Sequence, residues 1–162
     1  MRQFLFSVLL VATLAGPVRA GEVVVPPPPA NATCPVCGMF VAKYQEWVAV
    51  ALYKDGHAHY FDGAKDLFKY LKQLSQYAPG HKEGDIAILA VTDYYSVKPV
   101  DARQAFFVIG SDVLGPMGHE LVAHGRKQDA EEFLKDHKGK RVISFADVTG
   151  ELLISLDKGK PE

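Results

Sequence analysis

The strongest constraint on the fold is an order of strand, strand, helix and strand that the hydrophobic pattern shows twice. Apolar runs predict a hairpin over residues 47–61 and a third strand at 86–91, with a helical apolar face at 64–74 between them. The second half repeats this order with strands at 105–109, 121–123 and 142–145 and a helical face at 130–137. We therefore predict an α+β fold made of duplicated ββαβ units with mainly antiparallel sheets.

Two further predictions concern the ends of elements. Asp62 directly precedes the helical positions of the first unit, where a short acidic side chain is typical of an N-cap. The apolar stretch at residues 152–156 is consistent with an additional edge strand after the second unit.

The N-terminal segment predicts export. Residues 1–20 combine Arg2, a short apolar core at 4–15 and a small-residue cleavage pattern that ends at Ala20, as a secretory signal peptide does. The residue directly after that cleavage point is Gly21 and not a cysteine, so the sequence gives no support for lipid attachment there. We expect a periplasmic protein without a stable membrane span, since the apolar run is shorter than the roughly 20 residues that a spanning helix needs.

The remaining chain divides by composition and pattern. Residues 21–33 contain four consecutive prolines, and we expect an extended spacer that does not pack on the fold. We predict a first ββαβ unit at residues 34–95 and a second at 96–162, which includes the C-terminal edge segment.

Soft ligands are concentrated in two short segments. Beyond residue 20, both cysteines and both methionines lie within residues 34–39 and 115–120, and a histidine stands in the second segment. Thiolate, thioether and imidazole together suit Cu(I) better than they suit hard cations. The second segment also lies in a loop, 110–120, that is longer than a hairpin requires. The candidate metal ligands are Met117, His119, Cys34, Cys37 and Met39.

The Cys34–Cys37 spacing leaves three interpretations open. Two sulfurs at this spacing can bind one metal ion, form a redox-active dithiol or contribute to a structural zinc site. A zinc cluster usually needs a second ligand pair at matching spacing, and none is evident. A structural disulfide explains the pair poorly, because such a small loop gains little stability from closure.

The other histidines are less informative. His57 and His59 share one face of a predicted strand, where they could bind a metal or simply form a polar surface. His81 lies in a loop rich in glycine and lysine, and we expect it to be solvated. His124 and His137 flank the second helix, and the position of His137 on its apolar face predicts packing or capping.

Several classes of function receive no support. The net charge is −1 with scattered basic residues, which is unlike a nucleic-acid-binding protein. The sequence contains no recognisable Ser-His-Asp arrangement or phosphate-binding glycine loop, and we expect no catalysis.

Three separated segments carry a specific pattern. They are Cys34-Pro-Val-Cys-Gly-Met39-Phe-Val, Phe61-Asp-Gly-Ala-Lys-Asp-Leu-Phe68 and Gly110-Ser-Asp-Val-Leu-Gly-Pro-Met117-Gly-His119-Glu. In this order they resemble the NosL family, which comprises copper-binding accessory proteins for nitrous oxide reductase. The resemblance covers about residues 34–149.

The resemblance implies a periplasmic Cu(I) chaperone with a duplicated ββαβ fold. It implies delivery of copper during assembly of the reductase's copper-sulfide centre, with an ABC-type transporter complex as a further partner. By position, Met117 and His119 match the second-loop ligands of the family, and Cys34, Cys37 and Met39 match its N-terminal motif. Many members carry an acylated cysteine at the mature end, which this chain lacks at the predicted cleavage point.

Two other functions remain as alternatives. A periplasmic thiol–disulfide oxidoreductase would use Cys34 and Cys37, but it leaves Met117 and His119 without a role. A metal-free interaction module would use the duplicated sheets as a docking surface.

Overall fold

The computed structural model of the protein describes residues 20–160. The predicted signal peptide lies outside the described residues except for its last residue, Ala20. Within residues 20–160, no helix has the length and apolar character that crossing a bilayer requires.

The first half forms a four-stranded antiparallel sheet in the order β2-β1-β3-β4. Its strands are β1 (Ala49–Tyr53), β2 (Ala58–Phe61), β3 (Ile86–Thr92) and β4 (Pro99–Asp101). Two helices, α1 (Ala64–Lys72) and α2 (Leu74–Tyr77), connect β2 to β3. The apolar face of α1 covers the sheet, with Leu67 and Phe68 buried.

The second half repeats this arrangement. Strands β5 (Phe106–Ile109), β8 (Val122–His124) and β9 (Arg141–Ser144) form an antiparallel sheet in the order β8-β5-β9, and α3 (Lys127–Asp136) connects β8 to β9. The neighbour order matches β2-β1-β3 of the first sheet. The α+β fold with duplicated ββαβ units is therefore confirmed.

Two additions distinguish the second half from the first. The connection from β5 to β8 contains a small hairpin of β6 (Leu114–Gly115) and β7 (Gly118–His119). After β9, the helix α4 (Gly150–Asp157) returns to contact α1 and β7. Single 3-10 turns occupy Val41–Lys43, Gln45–Trp47, Glu83–Asp85 and Phe145–Asp147.

The predicted edge strand at residues 152–156 is wrong, because these residues belong to α4. The Thr149 side chain accepts a hydrogen bond from Leu152 N and caps the helix. Leu152, Leu153 and Leu156 then share one buried face, as helical spacing requires. The apolar stretch is too short for its length alone to separate strand from helix.

The expectation that residues 21–33 do not pack is also wrong for the start of that segment. Val23 N donates a hydrogen bond to Pro99 O at 3.2 Å, and Asp101 N donates to Gly21 O at 3.0 Å. The segment thus lies along β4, an edge strand whose free backbone groups need partners. The three residues of β4 are too few to be predicted from their pattern.

Side chains from both halves contribute to the main hydrophobic core. Phe68 of α1 meets Phe107 of β5 edge to face, with ring centroids 5.3 Å apart. Leu121 and Leu153 belong to the same buried cluster. Helix α1 of the first half therefore lies against the sheet of the second half.

A buried histidine lies in the smaller core between α3 and the second sheet. His124 is fully buried against Phe133, at 4.8 Å between ring centroids, and lies near Tyr94 and Tyr95. Within residues 20–160, neither ring nitrogen has a hydrogen-bond partner. Burial lowers the pKa of His124 to about 4, although Asp93 and Asp129 oppose this effect.

Acid should destabilise the protein through His124. The unfolded state takes up a proton near the ordinary histidine pKa of 6.5, whereas the folded state resists protonation down to about 4. The contribution of His124 to the free energy of unfolding should therefore fall by up to about 3 kcal/mol across this window as the pH decreases. Urea unfolding at several pH values isolates this contribution as the difference between the wild type and His124→Phe, because the other groups that titrate in this range are common to both proteins. The difference between the wild type and the half-buried control His137→Gln should stay largely constant; a pH-independent difference for His124→Phe contradicts this assignment.

Candidate metal centre

The Cys34–Cys37 segment forms a tight turn that is closed by its own backbone. Gly38 N donates to Cys34 O at 2.8 Å, and Cys34 N donates to Met39 O at 2.9 Å. Gly38 adopts φ +79°, a conformation that L side chains rarely adopt. Both side chains can therefore project from one side of the turn, and the cysteines are free thiols.

Two carboxylates of the first unit meet these thiols. Cys34 Sγ donates to Asp66 Oδ2 at 3.3 Å, and Cys37 Sγ donates to Asp62 Oδ1 at 3.2 Å. One potential ligand atom from each of the four residues lies within 4.8 Å of the other three. Cys34, Asp62 and Asp66 are buried and Cys37 is half-buried, so the group is accessible from one side. The arrangement has the composition of a metal site with two sulfur and two oxygen donors.

Burial controls the protonation of the thiols. It raises the pKa of Cys34 far above its usual range, and the charge of Asp66 adds to the rise. It also raises the pKa of Cys37 to about 12, with a further contribution from the hydrogen bonds to Asp62 and Asp66. Backbone N–H groups within the turn oppose the rise at both sulfurs. Both thiols are therefore protonated at neutral pH, and a metal must displace their protons.

The prediction that Asp62 caps α1 is wrong. Gly63 occupies the N-cap position of α1, and it has no side chain that could cap the helix. The missing acceptor comes from Glu120, whose Oε1 accepts hydrogen bonds from Lys65 N at 2.6 Å and Leu121 N at 2.8 Å. Asp62 is thereby left to face Cys37, and a carboxylate from the second half caps a helix of the first.

The contact between Glu120 and α1 leaves no spare room. A Cβ on residue 63 would overlap Glu120 Oε2, so only glycine fits at this position. Burial raises the pKa of Glu120 to about 7, while the two backbone N–H groups and the charge of Lys65 oppose the rise. The carboxyl group keeps its acceptor oxygen in either protonation state.

A buried lysine fixes the neighbouring loop. Lys65 Nζ donates to Met117 O at 3.0 Å and lies 3.2 Å from Asp157 Oδ1. Lys69 Nζ lies 2.9 Å from the same Asp157 oxygen and 3.3 Å from Asp66 Oδ1. The two ammonium groups therefore connect α1, α4 and the Met117 loop, and they offset the charge of the acidic residues.

A cleft of about 450 Å³ lies in front of the thiols. Cys37 and Asp66 line one part of it, and Met117 and Ile154 line another. Met117 is 44% exposed, so part of its side chain is accessible to solvent. The cleft thus brings the CxxC turn and the later sulfur-bearing loop to the same place.

The five predicted ligands are not all equally close to this group. Cys34 and Cys37 belong to it, and Met117 lines the same cleft as Cys37. His119 lies on β7, near Gly159 at the end of α4. Among residues 20–160, those that line the cleft do not include Met39, whose backbone oxygen contributes to the turn.

Sequence reasoning misses two members of the group. The position of Asp62 before a helix favours capping, and Asp66 falls within an ordinary amphipathic helix. The available signal is their spacing: Asp62 and Asp66 are four residues apart in the segment 61–68 that also carries the resemblance. Their approach to the thiols spans 25 and 32 residues of chain, which no local pattern reveals.

The fold and this group define a small α+β protein of two ββαβ units with a thiol–carboxylate cluster beside an open cleft. The sequence model of the NosL family matches residues 27–153. This chain therefore belongs to the NosL family.

Individual relatives agree with this assignment. A copper-binding lipoprotein NosL from Stutzerimonas stutzeri is 28% identical over 127 residues, which cover 74% of this chain and 63% of that protein. The chain thus spans somewhat less than two thirds of that relative's length.

Two solved structures are similar to this chain. The crystal structure of the copper chaperone NosL from Shewanella denitrificans has a TM-score of 0.66 at 24% identity, covering 79% of this chain and 97% of that one. It supports the fold described above. The solution structure of apo-NosL from Achromobacter cycloclastes has a TM-score of 0.42 at 22% identity, covering 67% of this chain and 87% of that one.

Removal of the Glu120 carboxyl group should destabilise the fold. Glu120→Ala leaves two buried N–H groups without their acceptor, and we expect a loss of about 2–4 kcal/mol in the free energy of unfolding. Glu120→Gln retains an acceptor oxygen and should cost about 1 kcal/mol or less. Urea unfolding compares these variants with Glu131→Ala, which removes only an exposed pair with Lys127. Equal losses in Glu120→Ala and Glu131→Ala would contradict the capping role.

Proposed function

We propose that this chain is a periplasmic copper chaperone that binds one Cu(I) ion where the Cys34–Cys37 turn meets the Met117 loop. The observation that carries the proposal is that Cys37 and Met117 line one cleft, although their segments are far apart in the chain, and that the buried Cys34 thiol lies beside Cys37. Two thiolates and a thioether form a donor set that selects Cu(I) over harder cations.

The remaining donors have secondary roles in this proposal. Asp62 and Asp66 accept the thiol hydrogen bonds, so they orient both sulfurs before the metal arrives. His119 shares its short hairpin with Met117, and a movement of this hairpin would carry both side chains relative to the thiols. Met39 supports the turn through its backbone.

The same features favour transfer over permanent storage. Met117 is exposed, and the cleft is open on the side where a recipient could approach. A thioether is a neutral ligand that an incoming thiolate or imidazole can replace while the cysteines still hold the ion. Ligands that leave one at a time permit exchange without a free copper ion.

The thiol–disulfide oxidoreductase alternative fits less well. Redox-active cysteines generally have a lowered pKa that supplies the attacking thiolate. Here burial raises the pKa of both thiols, and each donates a hydrogen bond to a carboxylate. This environment favours replacement of the thiol protons by a metal ion over nucleophilic attack by a thiolate. It therefore supports a non-catalytic carrier.

The names of the relatives and the family resemblance support the rest of the assignment. The relatives are named as a copper-binding lipoprotein and a copper chaperone. We propose that the client is nitrous oxide reductase, that copper is delivered during assembly of its copper-sulfide centre, and that an ABC-type transporter complex takes part. We also propose a cleaved signal peptide and a periplasmic location.

Competition for Cu(I) tests the site. The reduced, tag-free protein is titrated anaerobically against a chromogenic Cu(I) chelator. We expect Cys34→Ser/Cys37→Ser to weaken binding strongly, and Met117→Ala and His119→Ala to weaken it each by at least about tenfold, because each variant removes a donor.

Leu114→Ala is the matched control for Met117→Ala. Leu114 is also an exposed apolar residue of the small hairpin, and it is 57% exposed, but it offers no donor atom. Its substitution should leave the Cu(I) affinity unchanged. If all the ligand variants bind Cu(I) as tightly as the Leu114→Ala control, the proposed site is wrong.

Copper affinity should increase with pH. Because the pKa of both thiols is raised, Cu(I) must displace up to two protons, and these protons compete less as the pH rises. We expect the affinity to increase by up to about 100-fold per pH unit between about pH 6 and pH 8. In Cys34→Ser the increase should drop to about tenfold per unit. A pH-independent affinity in the wild type would exclude thiolate ligation.

A further inference from the structure

Three histidines converge around one tyrosine at the edge of the first sheet. The His57 ring stacks on Tyr53 at 4.2 Å between centroids, and the rings of His81 and His59 lie 4.8 and 5.8 Å from Tyr53. The loop containing His81 joins α2 to β3, whereas His57 and His59 lie at and after the β1–β2 turn. His81, which we expected to be solvated, is partly exposed and also belongs to this histidine cluster of His57, His59 and His81.

The spacing of the rings suits a shared metal ion. The His57 ring centroid lies 5.5 Å from that of His59 and 5.0 Å from that of His81. At metal–nitrogen distances of about 2 Å, neighbouring imidazole rings bound to one tetrahedral or tetragonal ion have centroids roughly 4.5–5 Å apart. The two ring pairs that include His57 are thus close to the separation that a common ion would require.

The central histidine also has an orienting partner. His57 Nδ1 lies 2.5 Å from Asp55 Oδ1, and the same oxygen accepts a hydrogen bond from His57 N. A carboxylate at one ring nitrogen fixes the tautomer and leaves Nε2 as the metal ligand, as in many histidine metal sites. A cleft lined by Tyr53, Asp55 and His81 gives access from solvent.

We propose that His57, His59 and His81 form a second metal site, which binds a divalent transition-metal ion through imidazole nitrogens and prefers Cu²⁺. Imidazole donors suit borderline divalent ions, and Cu²⁺ binds more tightly than Zn²⁺ at such sites. Within residues 20–160, only the Cys34 group brings three or more such ligand atoms within 4.8 Å. Binding at the histidine cluster therefore requires a ring rotation, which the partly exposed positions of His57 and His81 permit.

This site is separate from the proposed Cu(I) site but close to it. His59 lies three residues before Asp62, a span of about 10 Å in an extended strand. The Tyr70 ring of α1 lies 5.3 Å from the His59 ring and 6.2 Å from the Tyr77 ring, and Tyr77 lines the proposed Cu(I) cleft. The two sites differ in their donors, so each can be removed without the other.

The test is a Cu²⁺ titration of tag-free Cys34→Ser/Cys37→Ser protein, in which the thiols can neither bind nor reduce the ion. We expect one tightly bound Cu²⁺ whose electron paramagnetic resonance spectrum shows coupling to imidazole nitrogens. His57→Gln, His59→Gln and His81→Gln should each weaken binding by at least about tenfold, and the supporting variant Asp55→Asn by about tenfold.

His137→Gln is the matched control. His137 also pairs with a carboxylate, Asp112, at 3.2 Å, but it lies outside the histidine cluster. Its substitution should leave the Cu²⁺ affinity unchanged. Nitrogen-15 NMR of the imidazoles in the Cys34→Ser/Cys37→Ser protein provides a second readout that needs no histidine substitution, and Zn²⁺ binding should shift the His57, His59 and His81 resonances together.

The proposal is overturned if the His57→Gln/His59→Gln/His81→Gln protein binds Cu²⁺ as tightly as its parent, or if the three resonances do not respond to Zn²⁺. Either result would leave the Cu(I) proposal unaffected, because that proposal is tested with intact cysteines and a different ion.

Discussion

The arrangement of the site depends on one hydrogen-bonded contact between the halves: the Glu120 carboxyl group caps the start of α1. Its Oε1 accepts from Lys65 N, and Gly63 leaves the space that its second oxygen fills. Glu120 follows the small hairpin directly, so the contact fixes where Met117 lies relative to the first turn of α1. The same turn carries Asp66, which accepts the Cys34 hydrogen bond. One buried acceptor therefore holds the sulfur-bearing loop of the second half beside the thiols of the first.

The charges around this contact are arranged to keep the thiols protonated until a metal arrives. Two buried carboxylates face two thiols, and burial favours the neutral form of each sulfur. Lys65 and Lys69 offset the negative charge of the acidic residues on the side that faces α4. None of their described hydrogen bonds or ion pairs involves a cysteine sulfur. The proposed carrier function follows from this balance, since the stable metal-free state can still exchange protons for copper.

Local patterns predict the elements well and the partners poorly. The two ββαβ orders are readable because strands and helices bury side chains at different periods. The segment 152–156 is misleading, because its short apolar run fits the period of a strand as well as that of a helix. In the structure Thr149 caps it as a helix. Asp62 misleads for a different reason: an acidic residue before a helix satisfies the capping pattern, and only packing of the CxxC turn shows that it faces Cys37 instead.

The α+β class, the duplicated order and the confinement of soft ligands to two segments can be read from the sequence, because residue type and period fix these properties locally. Which ligands meet depends on the folded arrangement of the chain. This arrangement joins Cys37 to Met117 at one cleft, adds the two carboxylates and gathers three histidines from the β1–β2 hairpin and the loop before β3. The contacts at the cleft depend on how α1 packs against the second half and on the Glu120 cap. Such long-range geometry results from the shape and hydrogen bonding of the whole core, which no single segment of sequence contains.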